Sequence, residues 1–373
     1  MDERRNDKCI CLLFCLFLAL MPLLFLLLPK ADFSAREKRY LADAPELDAE
    51  SLLSGRFAEK AESYAADHLP GRDFLVGLNA ACELVSGRQI ANTVWLGRDG
   101  RLFEAPAAFD AGTIAENMAA IRAFAENAGQ PVDLLLVPSA GYVLPESLPA
   151  LADPYRDREI LDAVRAEAGD TLRFVELLPA FEAAEDRGAL YYRTDHHWTA
   201  EGAYRAGALY LEGLGRALPA RGSYAVTAVE GFRGSTWSRA ALWLLPGETL
   251  ELWDSGGRFT VENREQEGEH PGLFYREHLT EDDKYPVYLD GNHSLVRIRN
   301  ADPAAQGRIL VIRDSFANCL GCFLADAYEE VVLADLRYYR SPVSALLEEG
   351  FDQVLILYSV WNFMTDANII RLE

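Results

Sequence analysis

Ile309-Leu310-Val311-Ile312-Arg313-Asp314-Ser315-Phe316 is an apolar run that stops abruptly on a polar pair. Four consecutive aliphatic residues suit a strand covered on both faces. Phe316 to Ala327, rich in small residues, then suits a helix. A strand that turns into a helix at Asp-Ser presents the serine hydroxyl at the carboxyl end of a sheet, as a nucleophile is presented. The plain alternative for Ser315 is a helix N-cap, a role that Asp314-Ser315 also suits.

The alternation continues on either side. Downstream, Glu330 to Asp335 and Gln353 to Tyr358 read as strands, with a helix over Val343 to Glu349 between them. Upstream, Thr113 to Asn127 is a helix, Val132 to Val137 a strand stopped by Pro138, Asp157 to Ala168 a helix and Leu172 to Leu177 a strand stopped by Pro179. Five buried strands separated by helices predict an α/β domain over 106–373 with a mostly parallel five-stranded sheet. Residues 216–306 interrupt the pattern with Gly, Thr, Trp and Asp and several short β-like runs, and read as a β-rich insertion.

A second stretch carries chemistry: Arg193-Thr194-Asp195-His196-His197-Trp198-Thr199. A carboxylate two residues before an imidazole can orient and charge it, and the ring then serves as a general base. The alternative for His197 is a satisfied structural histidine, and for Trp198 core packing. Thr199 caps the helix that runs to Leu214, with Glu201 in its first turn. Asp195, His197, Ser315 and Asn362 all follow strand ends, where sites in such sheets lie. Together they make a candidate acyl-transfer site: Ser315 attacks, His197 takes its proton, and Asp195 holds the ring. The Ser315 backbone N–H and Asn362 are candidate oxyanion donors, although Asn362 also fits a plain turn. His196 points elsewhere and suits a supporting or solvent-facing place.

The N-terminus is of another kind. Cys9 to Leu28 is uncharged and almost wholly apolar, about the ~20 residues that cross a bilayer. No small-x-small cleavage site follows, so residues 1–30 read as a short tail and an uncleaved anchor. Basic residues stand on both sides of the run, and a single N-terminal anchor places the body outside the cytoplasm. Residues 31–105 form an approach region, with helices near Phe57–Ala66 and Phe74–Glu83 and a hairpin turning on Asp99-Gly100.

The formal net charge is −22 and the body has no basic cluster, which excludes nucleic acid as a partner. Cys319-x-x-Cys322 suits a redox pair or half a metal site, but no second Cys/His pair has zinc spacing, so no metal or other cofactor is expected; two buried thiols on one helix face are the plainer reading, and a disulfide between them is the alternative outside the cytosol. Two-metal phosphoesterases with Asp-His-His need further ligands absent here, and palmitoyltransferases need a cysteine where Trp198 stands.

On these residues the chain resembles the DHHW protein family, and through it the SGNH-hydrolase-like proteins of alginate O-acetylation. The resemblance takes in Gly97-Arg98-Asp99-Gly100, Thr194 to Thr199, Gly234-Ser235-Thr236, Gly291-Asn292-His293, Asp314-Ser315-Phe316 and Asp335 to Tyr339. It implies a flavodoxin-like SGNH sheet, circularly permuted so that the last two strands of the usual order come first. It selects His197 over His196 as base. The Lys that the alginate-type proteins often carry after the first core strand is missing from Val137 to Tyr142, where Tyr142 is a substrate-binding candidate with Trp198, Trp237 and Asn292.

The resemblance implies O-acetyl transfer to a cell-surface or exported polysaccharide through an acetyl-Ser315 intermediate, with a membrane-bound O-acyltransferase as donor. Trp237 and Trp243 of the insertion are candidates for acceptor contacts. The rivals are a carbohydrate esterase with the same triad and a non-catalytic surface protein that keeps the fold as a scaffold or glycan-binding module.

Overall fold

Uninterrupted aliphatic runs form the centre of the sheet. The computed structural model describes residues 3–372, and side chains from residue 7 onward; Arg4 and Arg5 of the tail lie outside the described side chains. The chain divides into two compact units. One comprises residues 1–88 with 241–243; the other comprises 89–240 with 244–373.

In the first unit, α1 (Glu3–Leu27) contains Pro22 and, from Cys9 onward, carries uncharged, almost wholly apolar and largely exposed side chains. Short helices follow, over Arg56–Asp67 and Arg72–Val85. Trp243 also belongs to this unit, where its indole N–H donates to Asp73 O and its ring lies against Gly77. A Cβ at Gly77 would meet that ring at 2.2 Å.

The second unit opens with a three-stranded sheet. Val94–Leu96 pairs antiparallel with Leu102–Glu104. The turn between them puts both Asp99 and Gly100 in the left-handed region, at φ 57° and 70°, as a tight hairpin requires. The main sheet then uses β1 (Val132–Val137), β2 (Arg173–Val175), β3 (Phe259–Asn263), β4 (His270–Pro271), β5 (Leu295–Asn300), β6 (Arg308–Arg313), β7 (Glu330–Ala334) and β8 (Gln353–Ser359). Their spatial order is β4-β3-β5-β7-β6-β8-β1-β2. The five strands from β7 to β2 are mutually parallel. β1 and β8 are buried at every position, so both faces of the parallel part are covered.

The sheet therefore has eight strands rather than five. The region read as an insertion contributes β3, β4 and β5, which pair antiparallel on the β7 edge. Covering that edge removes a row of unpaired backbone groups. It also brings the start of β5 to the site, because Leu295 pairs with Ala334 at the carboxyl end of β7. The remaining strands of the region, Ala225–Phe232 and Glu248–Asp254, form a separate ribbon. Helices α2 (Ala111–Ala128), α3 (Asp157–Ala168), α4 (Ala200–Glu212), α5 (Ser235–Ala240) and α6 (Ala317–Ala327) complete the frame. Pairs α2/α3 and α4/α6 pack together. The helix expected over Val343–Glu349 is a single turn, Ser344–Leu347.

Candidate active site

Two staples bring the distant segments together. Asp314, fully buried at the end of β6, accepts from Phe316 N at 3.0 Å through one carboxylate oxygen. The other accepts from Ser359 N and Asn362 Nδ2, each at 2.7 Å. The turn after β6 is thereby tied to the end of β8. Trp198 supplies the second staple, donating its indole N–H to Phe316 O at 3.1 Å. Its own segment is a tight loop closed by a Tyr191–Trp198 bridge. Glu248 accepts from the backbone N–H groups of Arg193 and Thr194 at 2.7 and 2.6 Å, and the Arg101 guanidinium donates to the Tyr191 and Tyr192 carbonyls.

Within this frame Ser315 Oγ lies 2.7 Å from His197 Nε2, and His197 Nδ1 lies 2.5 Å from Asp195 Oδ1. All three residues are buried. Ser315 does not cap the helix; Asp314 takes the turn's N–H instead. The second oxygen of Asp195 accepts from Ser235 N at 2.6 Å and Ser235 Oγ at 3.0 Å. That approach needs a glycine at 234, since a Cβ there would lie 2.1–2.5 Å from the Asp195 side chain. The His197 ring stacks on Tyr285, with centroids 3.9 Å apart and planes 8° apart. Burial first, and the neighbouring His196 second, hold the His197 pKa below its ordinary value against the pull of Asp195. The ring is therefore neutral near pH 7, with a lone pair facing a hydroxyl. An imidazole so placed can accept the hydroxyl's proton as oxygen attacks a carbonyl.

A cavity of about 330 Å³ opens on these groups, lined by Ser315, His197, Asn292, Arg337, Trp361 and Asn362 among others. Ser315 N–H donates to no acceptor among the described residues. Asn362 spends one amide hydrogen on Asp314 and keeps the other. Potential ligand atoms of Asp195, His196 and His197 lie within 4.8 Å of one another. Those of Asp195 and His197 are engaged in the hydrogen-bonded chain to Ser315 just described.

The structure brings Asp195, His197, Ser315, Asn292 and Asn362 to one place, but not the expected aromatic contacts. Trp198 is fully buried and packs on Phe316, and Trp237 is buried in α5; neither lines the cavity. Their large apolar rings are satisfied by the core. Tyr142 lies outside the cavity, where its hydroxyl accepts from Arg158 Nε. Trp243 is in the other unit. Cys319 and Cys322 are free, buried thiols on α6. Sequence reading missed Tyr285 and Trp361 altogether. Ser235 entered only through the resemblance, as part of Gly234-Ser235-Thr236, and its bond to Asp195 was not foreseen.

The sequence matches two described families: an "SGNH hydrolase-like domain, acetyltransferase AlgX" over residues 91–228, and "DHHW protein" over 180–334. The chain is similar to the DHHW proteins. A DHHW family protein from Eubacterium siraeum has the same fold, with a TM-score of 0.63 at 20% identity, covering 75% of this chain and 95% of that one. Bacillus cereus PatB1, solved with a sulfonyl adduct, gives 0.63 at 22% identity, covering 75% of this chain and 98% of that one. Among curated sequences, the probable alginate O-acetylase AlgJ of Pseudomonas putida is 28% identical over 174 residues, 44% of this DHHW-like chain. The match spans 45% of that relative's length, less than half of it.

Proposed function

We propose that this chain is a membrane-anchored, extracytoplasmic O-acetyltransferase that modifies a polysaccharide through an acyl-Ser315 intermediate. The observation that carries the reading is the hydrogen-bonded line from Ser315 Oγ through His197 to Asp195, at 2.7 and 2.5 Å, on the wall of a cavity. Ser315 Oγ attacks the donor's acetyl carbonyl and its proton passes to His197 Nε2. The oxyanion forms against Ser315 N–H and the Asn362 amide. Its collapse expels the donor's leaving group, which takes the proton from His197. A sugar hydroxyl then attacks acetyl-Ser315, gives its proton to His197, and the returning proton restores the Ser315 hydroxyl.

Strand order supports a permuted SGNH sheet. Counting from the serine-bearing β6, the parallel strands β7-β6-β8-β1-β2 read 2-1-3-4-5, the flavodoxin order, with strands 4 and 5 first in the chain. The relatives named for acetyl transfer and alginate O-acetylation support a polysaccharide acceptor. A membrane-bound O-acyltransferase is the proposed donor, since α1 holds the enzyme where such a partner works.

The test uses the full chain in detergent with a chromogenic acetyl ester. Mass spectrometry should find an acetyl group on Ser315, and Ser315→Ala should lower kcat by about 10⁴-fold or more. Added oligosaccharide should speed turnover and become acetylated. Free acetate alone, unchanged by any acceptor, identifies an esterase instead. An adduct that survives Ser315→Ala sinks the mechanism.

A further inference from the structure

Asn292 sits at the end of a strained turn. Leu289, Asp290 and Gly291 have φ of 58°, 65° and 79°, three consecutive left-handed residues of which two are not glycine. Such strain persists only where the surroundings over-determine it. Leu289 is fully buried, and Asp290 is gripped by His278 Nε2 at 2.6 Å and His293 Nε2 at 2.9 Å. The turn leads directly to Asn292 on the cavity wall.

The orientation of the Asn292 amide follows from its partners. Oδ1 accepts from Arg313 Nη1 at 2.9 Å and from Asn318 Nδ2 at 3.1 Å. A guanidinium only donates, so the oxygen must face Arg313 and the NH₂ must face away from it. Arg313 is fully buried, with Asp335 3.7 Å from its Nη1. A charged donor on Oδ1 polarises the amide and strengthens its N–H groups. Nδ2 donates to no acceptor among the described residues, and the residue shares its cavity with Ser315 and His197.

We infer that Asn292 is a catalytic residue: a further oxyanion donor, aimed at the acyl oxygen that becomes negative when Ser315 attacks. This rests on the acyl-transfer reading above. It differs from a role in substrate binding, because the hydrogen bond strengthens only as charge develops. Asn362, tied to Asp314 by one amide hydrogen, then shares the load with a donor whose two hydrogens are both unspent.

Asn292→Asp is the decisive variant. It keeps an oxygen on Arg313, so the buried cation stays paired and the fold is preserved, but it replaces the donor with an acceptor. With the full chain and a chromogenic acetyl ester, kcat on the pH plateau should fall by at least ~100-fold with KM within about threefold. Asn292→Ala should show the same split, and melting curves check that both variants fold. An active wild type beside an Asn292→Asp enzyme that keeps kcat within threefold overturns this assignment and leaves the triad standing. A wild type inert toward the ester, and unlabelled at Ser315 by an arylsulfonyl fluoride, overturns both.

Discussion

At the scale of single residues, the site is a pair of adjacent histidines, their rings tilted against each other, with separate duties. His197 lies between Asp195 and Ser315, while His196 Nδ1 contacts Ser235 Oγ at 2.6 Å and the two rings sit 3.8 Å apart. Burial and His196 both lower the His197 pKa. On the proposed acyl transfer, activity needs the neutral ring, which is lost as pH falls through that pKa. The acid limb of kcat/KM should therefore lie below the ordinary histidine value of about 6.5. His196→Ala removes the neighbouring ring that lowers the His197 pKa and admits water, and both changes move the limb upward. A pH–rate profile with the limb unmoved, or moved down, would show that His196 does not tune its neighbour. Gly234→Ala is the second residue-scale prediction. Its Cβ would collide with the Asp195 carboxylate, so kcat should fall by about 10²-fold or more while Ser235→Ala, which keeps the backbone N–H to Asp195, costs about tenfold. Equal losses in steady-state assays would count against the close approach. Asp195, His197 and Ser315 were legible in the sequence because each has a local signature. Tyr285 was not, because its place against His197 comes from a chain approach that nothing near residue 285 announces.

At the scale of elements, legibility followed the length of the apolar run. β1 and β6 stand where runs of four aliphatic residues, 134–137 and 309–312, predict them, because burial on both faces leaves no other use for such a run. The edge strands did not declare themselves. β4 has two residues, and the pairing of β5 with β7 depends on a partner 35 residues on. Yet β5 matters for function, since its entry turn carries Asn292. That turn is held by a clasp whose strength depends on pH. Burial opposes protonation of His278 and His293, but Asp290, with Glu281 at the first ring and Glu265 at the second, outweighs it and raises both pKa values. Burial likewise works against the Asp290 charge, and the two histidines outweigh it and lower its pKa. The histidine contribution is therefore complete below their unfolded value and is lost as pH rises through the raised folded values. The Asp290 contribution is present above its unfolded value and is lost as pH falls through the lowered one. The clasp is tightest in the mildly acid window between, near pH 5 to 6. Thermal melts should show the wild type's advantage over Asp290→Asn largest there and shrinking as pH rises through the raised histidine values. An advantage that grows with pH would reverse the sign and refute the clasp.

For the whole molecule, two properties meet in one chain. Formal charge is −22, and α1 exposes Ile10, Leu12, Leu13, Phe17 and their neighbours with none of its apolar window buried inside the structure. A helix apolar on every side has no stable place in water, and Asp7–Leu27 is long and apolar enough to cross a bilayer. This feature was the plainest in the sequence, since it is one unbroken apolar run rather than a periodic pattern. Its orientation was not readable from flanking charge. The acidic charge matters for how attachment should behave. Anionic lipid surfaces repel such a body, so electrostatics gives no hold and salt should not release it. If α1 is the sole attachment, the full chain should stay with membranes through high-salt and alkaline washes and come off only with detergent. Leu13→Lys with Leu20→Lys sets two charges within the span, at about 2.5–3.5 kcal/mol each near the bilayer centre. Fractionation should then find the doubly substituted chain largely in the soluble pool, with ester turnover intact, because every residue of the proposed site lies in the other compact unit. Retention of that variant on washed membranes would place the attachment elsewhere in the molecule, and α1 would lose its role as the anchor.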